Sequence, residues 1–223
     1  MKNAVIGLEA RPFSKILNQP LVDAGLMLPL MEHFYTIQGE GAYRGAAAYF
    51  LRLGGCDVGC VWCDVKDSWN VLAHPLVEVA NMVAEVKKHP GKIAVITGGE
   101  PSSFELGPLT EALQAANIRT HIETAGVYPL SGSWDWVCFS PKKFKKPLEE
   151  IYQKANELKV VIYNKSDFAW AEQHAKAVHE NCRLFLQPEW GKAKEMMPLI
   201  VDYVKQHPKW EVSLQIHKYM DIP

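Results

Sequence analysis

The chain is 223 residues long and 48% hydrophobic, enough to bury one sizeable α/β core. Its 24 basic and 25 acidic residues leave a formal net charge of -1, which excludes a global field that gathers nucleic acid or an acidic membrane, so small ligands are the expected partners. No apolar run reaches the ~18 residues of a membrane span, and the N-terminal stretch lacks a basic start, an apolar core and a small-residue cleavage site, so the cytoplasm is the expected location.

Residues 1–29 carry scattered Pro and Gly with weak periodicity and are expected to form an extension ahead of a core domain spanning 30–223. MEHFYTIQGEG (31–41) starts strand-like and ends in a glycine-containing loop. AAAYFLRLGG (46–55) is a buried-strand candidate that delivers the chain into the cysteine loop CDVGCVWCD (56–64). Leu76, Val79, Val83 and Val86 recur at helical spacing, which predicts a helix over 75–88, and KIAVITGGEP (92–101) reads as a strand stopping at Gly-Gly. The alternation continues with a helix over 108–116, strands over 119–126 and 134–142, and a helix over 148–156. A strand over 158–163, a helix over 167–179, a strand over 183–188, a helix over 194–206 and a strand over 210–218 complete it. This order predicts an α/β fold in which a parallel sheet is covered by helices, open or closed into a partial barrel. In such a sheet the loops leaving the strands share one edge, where ligands bind, and CDVGCVWCD, TGGEP, ETAG, SPKK and QPEW all fall at such ends.

Five cysteines, three of them in one short loop, make an odd and uneven set for disulfides, which leaves metal ligation or redox chemistry. Cys56, Cys60 and Cys63 can face a common centre, either a tetrahedral zinc or an iron-sulfur cube. A closed zinc site needs a fourth ligand, which Cys138, Cys182 or His74 could supply. A cube held by three thiolates leaves one iron open to a substrate or cofactor. Trp62 would shield such a cluster from water, although ordinary core packing explains a tryptophan equally well. Gly98 and Gly99 would let backbone approach a cofactor closely, or simply end a strand in a turn.

C-x3-C-x2-C after a strand, with TGGEP closing the next one, resembles the radical S-adenosylmethionine (SAM) enzymes. TIQGEG (36–41), RLGGC (52–56), HIETAG (121–126), SPK (140–142), QPEW (187–190) and the ending HKYMDIP make the chain similar to one family among them, the 7-carboxy-7-deazaguanine synthases. The resemblance covers the chain from about Leu30 to its last residue and implies a partial (β/α) barrel of the radical SAM type. It implies a ring-contracting lyase that converts 6-carboxy-5,6,7,8-tetrahydropterin to 7-carboxy-7-deazaguanine with loss of ammonia, in the queuosine and 7-deazapurine pathway that serves transfer RNA modification. In that reaction a 4Fe-4S cluster on Cys56, Cys60 and Cys63 splits SAM, the adenosyl radical takes hydrogen from C6, and hydrogen return regenerates the cofactor.

The same resemblance places Trp62, Asp64, Gly99, Glu123, Ser140, Pro141, Lys142, Gln187, Pro188, Glu189 and Trp190 at the SAM site. Ile37, Gln38, Gly39, Arg52, Thr97 and the terminal Pro223 become pterin contacts. An external one-electron reductant such as flavodoxin or ferredoxin, and a homodimer, are implied as well. The family's magnesium ion is served by a hydroxyl residue directly after the Cys-Asp pair. Val65 stands there in this chain and has no oxygen for a hard cation.

The residue types suit these roles. Arg52 can grip a carboxylate with two parallel hydrogen bonds, and Gln38 offers both a donor and an acceptor. Read singly, Arg52 is equally a surface cation and Gln38 a turn residue. A ligand role for Pro223 requires the tail to fold back into the site. Cys138 and Cys182 are expected to be buried thiols, Lys143, Lys145 and Lys146 a solvated loop, and His33, His121 and His217 packed or close to the site. Two other readings stay open here: a radical SAM activase that installs a glycyl radical on a partner protein, and a non-catalytic zinc or iron-sulfur protein.

Overall fold

The computed structural model describes Pro12, Phe13 and residues 15–223, so residues 1–11 and 14 of the expected N-terminal extension lie outside the described residues. The chain opens with a short helix α1 (Gln19–Asp23), strand β1 (Met27–Ile37) and strand β2 (Ala47–Leu53). After the cysteine loop come β3 (Leu76–Glu78), α2 (Val79–Val86), β4 (Ile93–Gly98), α3 (Gly107–Ala115), β5 (Arg119–Thr124) and β6 (Trp136–Phe139). The remainder is α4 (Ile151–Lys154), β7 (Glu157–Ile162), α5 (Ser166–Ala175), β8 (Arg183–Pro188), α6 (Ala193–Gln206), β9 (Trp210–Val212) and α7 (Ile216–Met220).

One open nine-stranded sheet runs in the order β3-β1-β2-β4-β5-β6-β7-β8-β9. From β2 to β9 every pairing is parallel, as the alternation of strands and helices requires. The sheet is nevertheless mixed, because β1 pairs antiparallel with both β2 and β3. The boundary expected between residues 29 and 30 falls inside β1, and Ile16, Val22 and Leu28 already belong to the core.

The sheet is strongly curled. In a flat sheet β9 would lie seven strand spacings of ~4.8 Å, or ~34 Å, from β1. Yet Gly41 N, four residues past the end of β1 and so at most ~14 Å from it, donates to Ser213 Oγ just after β9 at 3.0 Å. The loop 38–46 therefore spans the concave face of a partial barrel. Side-chain alternation follows from this curl. In β2, Leu51 and Leu53 face the helical layer while Phe50 and Arg52 face inward; in β7, Leu158, Val160 and Ile162 face the helices while Lys159 and Val161 face inward.

Several short elements differ from expectation. Residues 76–78 form a strand because they pair with Met27–Pro29, so the helix expected over 75–88 begins only at Val79. The helix expected over 148–156 is the single turn α4, and the strand expected over 134–142 is β6 alone. The strand expected over 210–218 ends at Val212, and the chain then turns into α7, whose first amide, Ile216 N, donates to Gly39 O at 3.0 Å instead of continuing the sheet.

His174 is packed among Tyr152, Phe139 and Trp170, with Tyr152 Oη 2.8 Å from Nδ1, and burial holds its pKa down at about 4. The folded protein keeps this ring neutral, whereas the unfolded chain protonates it near ~6.5. Its contribution to stability is thus complete above about pH 6.5 and lost as pH falls toward about 4. Urea midpoints are expected to drop across that window in the wild type, and His174→Gln should flatten part of the drop. Lys205→Ala, at a side chain 73% exposed, should leave the slope unchanged.

Candidate active site

The cysteine loop leaves β2 through Gly54 and Gly55 and is closed on itself by two backbone bonds, Gly55 N to Ser68 O (2.6 Å) and Cys56 N to Trp69 O (3.4 Å). Beside it, the turn after β4 is laid directly against the end of β2. Gly99 N donates to Leu53 O (2.8 Å) and Glu100 N to Gly55 O (2.9 Å). A Cβ at Gly98, where φ is +116°, would lie 2.3 Å from Leu53 O, and one at Gly99 would lie 2.1 Å from Gly55 O. The glycine pair is thus required by this backbone-on-backbone approach, before any ligand is considered.

Glu100 clamps the two neighbouring turns. Its carboxylate is 2% exposed and accepts from Ser102 N (3.1 Å), Ser102 Oγ (2.7 Å), Thr124 Oγ1 (2.5 Å) and Ala125 N (2.7 Å). TGGEP and ETAG are thereby locked together at the ends of β4 and β5.

Cys56, Cys60 and Cys63 are free thiols in a small apolar cluster with Val58, Ala125 and Val127. Burial pushes the Cys56 thiol up to about 11 and raises Cys60 as well, so these protons leave when a metal takes their place. Among the described residues no three His, Cys, Asp or Glu side chains are gathered tightly enough to hold a single metal ion. Three thiols along one cavity wall, without a fourth ligand, match the donor set of a multi-iron cluster with one open iron. His74, a candidate fourth ligand, instead places Nε2 2.9 Å from Asp67 O, and Cys138 and Cys182 are buried in strand contexts.

All three cysteines line one cavity of about 470 Å³, within the range typical of small-molecule sites. Trp62, Asp64, Gly99, Glu123, Ser140, Lys142 and the loop 187–190, expected at the SAM site, all line it, and so do the expected pterin contacts Ile37, Gln38, Gly39, Arg52, Thr97 and Pro223. Pro141 alone among the expected residues does not: it is buried beside Ser140. Lys142 Nζ donates to Ser140 Oγ (2.6 Å) and lies 5.7 Å over the Trp62 ring, and burial lowers its pKa. Arg52 Nε is 2.5 Å from Glu32 Oε1 but outside hydrogen-bonding geometry, so that nitrogen has no hydrogen-bond partner.

The tail does fold back. Gly39 leaves no room for a Cβ, which would fall 2.0 Å from His217 Nδ1. Lys218 sits 4.9 Å over Trp190 and 3.5 Å from Asp64, and Tyr219 meets Trp190 edge-on. Asp221, at φ 52°, then turns the chain so that Pro223 faces the cavity.

Sequence reasoning missed the charged floor. Lys159, whose side chain is 3% exposed, contacts Glu40 Oε2 and lies 2.7 Å from Glu123 Oε2. Burial pushes the Glu40 carboxyl up, but Lys159 and hydrogen bonds from Lys159, Gln215 and Gln187 outweigh it and hold the pKa at about 2. Burial works against the charge on Lys159 too, and Cys138, Glu123, Glu40 and Glu157 together keep it well above its usual value. Glu40 was visible inside TIQGEG, and a single cation within the apolar run LKVVIY was the signal for Lys159. Below this floor His121 is 4% exposed with Nε2 unpartnered, and burial lowers its pKa to about 4.

A radical SAM superfamily family model matches residues 51–138. A 7-carboxy-7-deazaguanine synthase from Flavobacterium psychrophilum is 57% identical over 92% of this chain and 97% of the relative. This chain belongs to the 7-carboxy-7-deazaguanine synthase family. A second relative of that name, from Synechocystis, is 44% identical over 87% of this chain and 93% of its own. The crystal structure of QueE from Escherichia coli superposes with a TM-score of 0.76 at 28% identity, over 87% of this chain and 96% of the other. Membership in this synthase family sets aside the activase and the non-catalytic metal protein, and radical SAM enzymes use a 4Fe-4S cluster and SAM.

Within the synthase fold, the Glu100 clamp is the acceptor of four buried donors, of which Thr124 Oγ1 has a second acceptor in Ser102 Oγ at 3.4 Å. Glu100→Ala is expected to cost about 3 kcal/mol or more in urea unfolding. Glu149→Ala, at a side chain 82% exposed, should stay within about 0.5 kcal/mol of wild type.

Proposed function

We propose that this protein converts 6-carboxy-5,6,7,8-tetrahydropterin to 7-carboxy-7-deazaguanine with loss of ammonia, as a radical SAM lyase of queuosine and 7-deazapurine biosynthesis. The observation that carries the reading is one cavity lined both by three free thiols and by Gln38, Arg52 and Glu123. A radical source and a polar heterocycle would then share one cavity.

Cys56, Cys60 and Cys63 would hold the cluster, with SAM against Trp62, Gly99, Ser140, Lys142 and residues 187–190. When bound, the cluster and SAM supply the hydrogen-atom abstraction at C6 that starts the ring contraction. Arg52 would take the substrate carboxylate, since it lines the cavity and its Nε, although 2.5 Å from Glu32 Oε1, makes no hydrogen bond. Gln38 would address the pterin edge; Glu123, expected at the SAM site, is proposed for that edge instead because Gln38 Nε2 donates to its Oε1 (3.1 Å), and Thr97, Ile37 and Gly39 would meet the pterin's faces and rim. Phe34, Phe50 and Trp62 supply apolar walls that keep water from a reactive radical. The folded-back tail, ending at Pro223, would close the same space.

The finer parts of the reading are a reductant such as flavodoxin or ferredoxin, a homodimer and a cytoplasmic setting. Magnesium is the group these residues serve least well. The Val65 side chain offers no oxygen, which leaves a ligand role to the substrate, Asp64, backbone or water.

The test is anaerobic turnover: protein reconstituted with iron and sulfide, supplied with dithionite, SAM and the tetrahydropterin, with products followed by mass spectrometry. 7-Carboxy-7-deazaguanine should accumulate without net loss of SAM, and Cys60→Ala should abolish it. Arg52→Ala should raise KM about tenfold or more. Abortive SAM cleavage with intact pterin would overturn the substrate assignment.

A further inference from the structure

We infer that Lys159 is a positioning residue for the substrate: its ammonium ties Glu40 and Glu123 into a paired acceptor floor that selects a flat heterocycle with hydrogen-bond donors along one edge. The inference rests on the pterin reading and specifies how the 2-amino-4-oxo edge of that substrate class is recognised.

Three separate elements meet at this one cation. Lys159 rises from β7 between Leu158 and Val160, which are fully buried on the opposite face. Glu40 arrives on the loop that spans the barrel, and Glu123 stands near the end of β5. The other oxygen of each carboxylate is also engaged: Gln38 Nε2 donates to Glu123 Oε1 (3.1 Å) and Gln215 Nε2 to Glu40 Oε1 (2.8 Å). Lys159, Glu40, Glu123, Gln38 and Gln215 all line the main cavity.

The arrangement has a chemical consequence. Each Glu123 oxygen accepts one protein donor and the two Glu40 oxygens share three, from Lys159, Gln215 and Gln187, so both carboxylates keep lone-pair capacity for a ligand. Two carboxylates and one ammonium leave the floor with one net negative charge, which favours a ligand edge made of N–H groups. Without the cation, two adjoining carboxylates would not both stay ionised, and a shared proton would turn one acceptor into a donor. Such a buried ion triad adds little stability by itself, so its place on a ligand cavity points to recognition. The charged and titratable groups packed around it are Glu157, Cys138 and His121, Lys142 from the turn after β6 and His217 from α7, with Gln187 of β8 bonded to Glu40.

The experiment uses the reconstituted holoenzyme with SAM bound, comparing wild type with Lys159→Met. Equilibrium dialysis measures two probes between pH 6 and 7.5, where their ring N–H is retained: oxidised 6-carboxypterin, and 6-carboxylumazine, in which oxygen replaces the 2-amino group. Wild type should bind the aminopterin with pH-independent affinity and prefer it at least tenfold. Lys159→Met should retain its cluster absorbance and SAM binding, lose about thirtyfold or more in aminopterin affinity near pH 6.5, recover part of it as pH rises, and lose the preference. In turnover, its KM should rise while kcat changes less than about threefold.

Wild-type affinity, preference and pH profile in Lys159→Met would overturn the inference alone. A wild-type enzyme that neither binds nor converts the pterin overturns the functional reading and this inference with it. Where Lys159→Met does not fold, Lys159→Met/Glu40→Gln decides, since it removes the cation together with one anion. That double variant should bind aminopterin at least tenfold more weakly than wild type without a pH slope, and wild-type affinity with intact preference would refute the role.

Discussion

A buried ammonium joins the two sides of an open, curled sheet. Lys159 of β7 meets Glu40, carried by the loop from β1, and Glu123 of β5, so elements that a flat sheet would hold far apart are fastened across its concave face. The tail depends on the same fastening. Glu40 accepts from Gln215, Gly39 accepts from Ile216 and makes room for His217, and only a chain end so anchored can bring Pro223 to the cavity.

The opposite wall is built on a different principle. There the backbone does the positioning: Gly98 and Gly99 lie against Leu53 and Gly55 more closely than any side chain would allow, and Glu100 joins the turns after β4 and β5. The cysteine loop is hung on that rigid corner. Its thiols are packed among Val58, Ala125 and Val127, none of which belongs to the charged floor. An apolar, shielded wall suits a cluster, and a polar, charged floor suits the orientation of a heterocycle. The division of the cavity thus separates where a radical would be made from where its target would be held.

Much of this was legible beforehand. The strand over 183–188 and the helix over 194–206 appear within a residue of expectation, because long periodic segments carry their own signal. The short elements were not legible. β3 has three residues and is a strand only because β1 offers its edge, and α7 is a helix only because the tail docks on Gly39. Lys159 escaped notice for a related reason: within an apolar run, periodicity cannot say which face meets helices and which meets a cavity.

The linear order of residues by itself determined the α/β alternation, the cysteine triad and the motifs that fall at strand ends, since local periodicity and short-range spacing are written directly in the chain. Tertiary structure alone decided that β1 and β3 run antiparallel, that the sheet curls, that Gly98 and Gly99 serve backbone packing, and that Lys159 holds Glu40 and Glu123 together. Glu40 and Lys159 are 119 residues apart in the chain, and no local propensity encodes a meeting at that distance. It follows from the twist of the whole sheet and from the need of a buried charge for a partner.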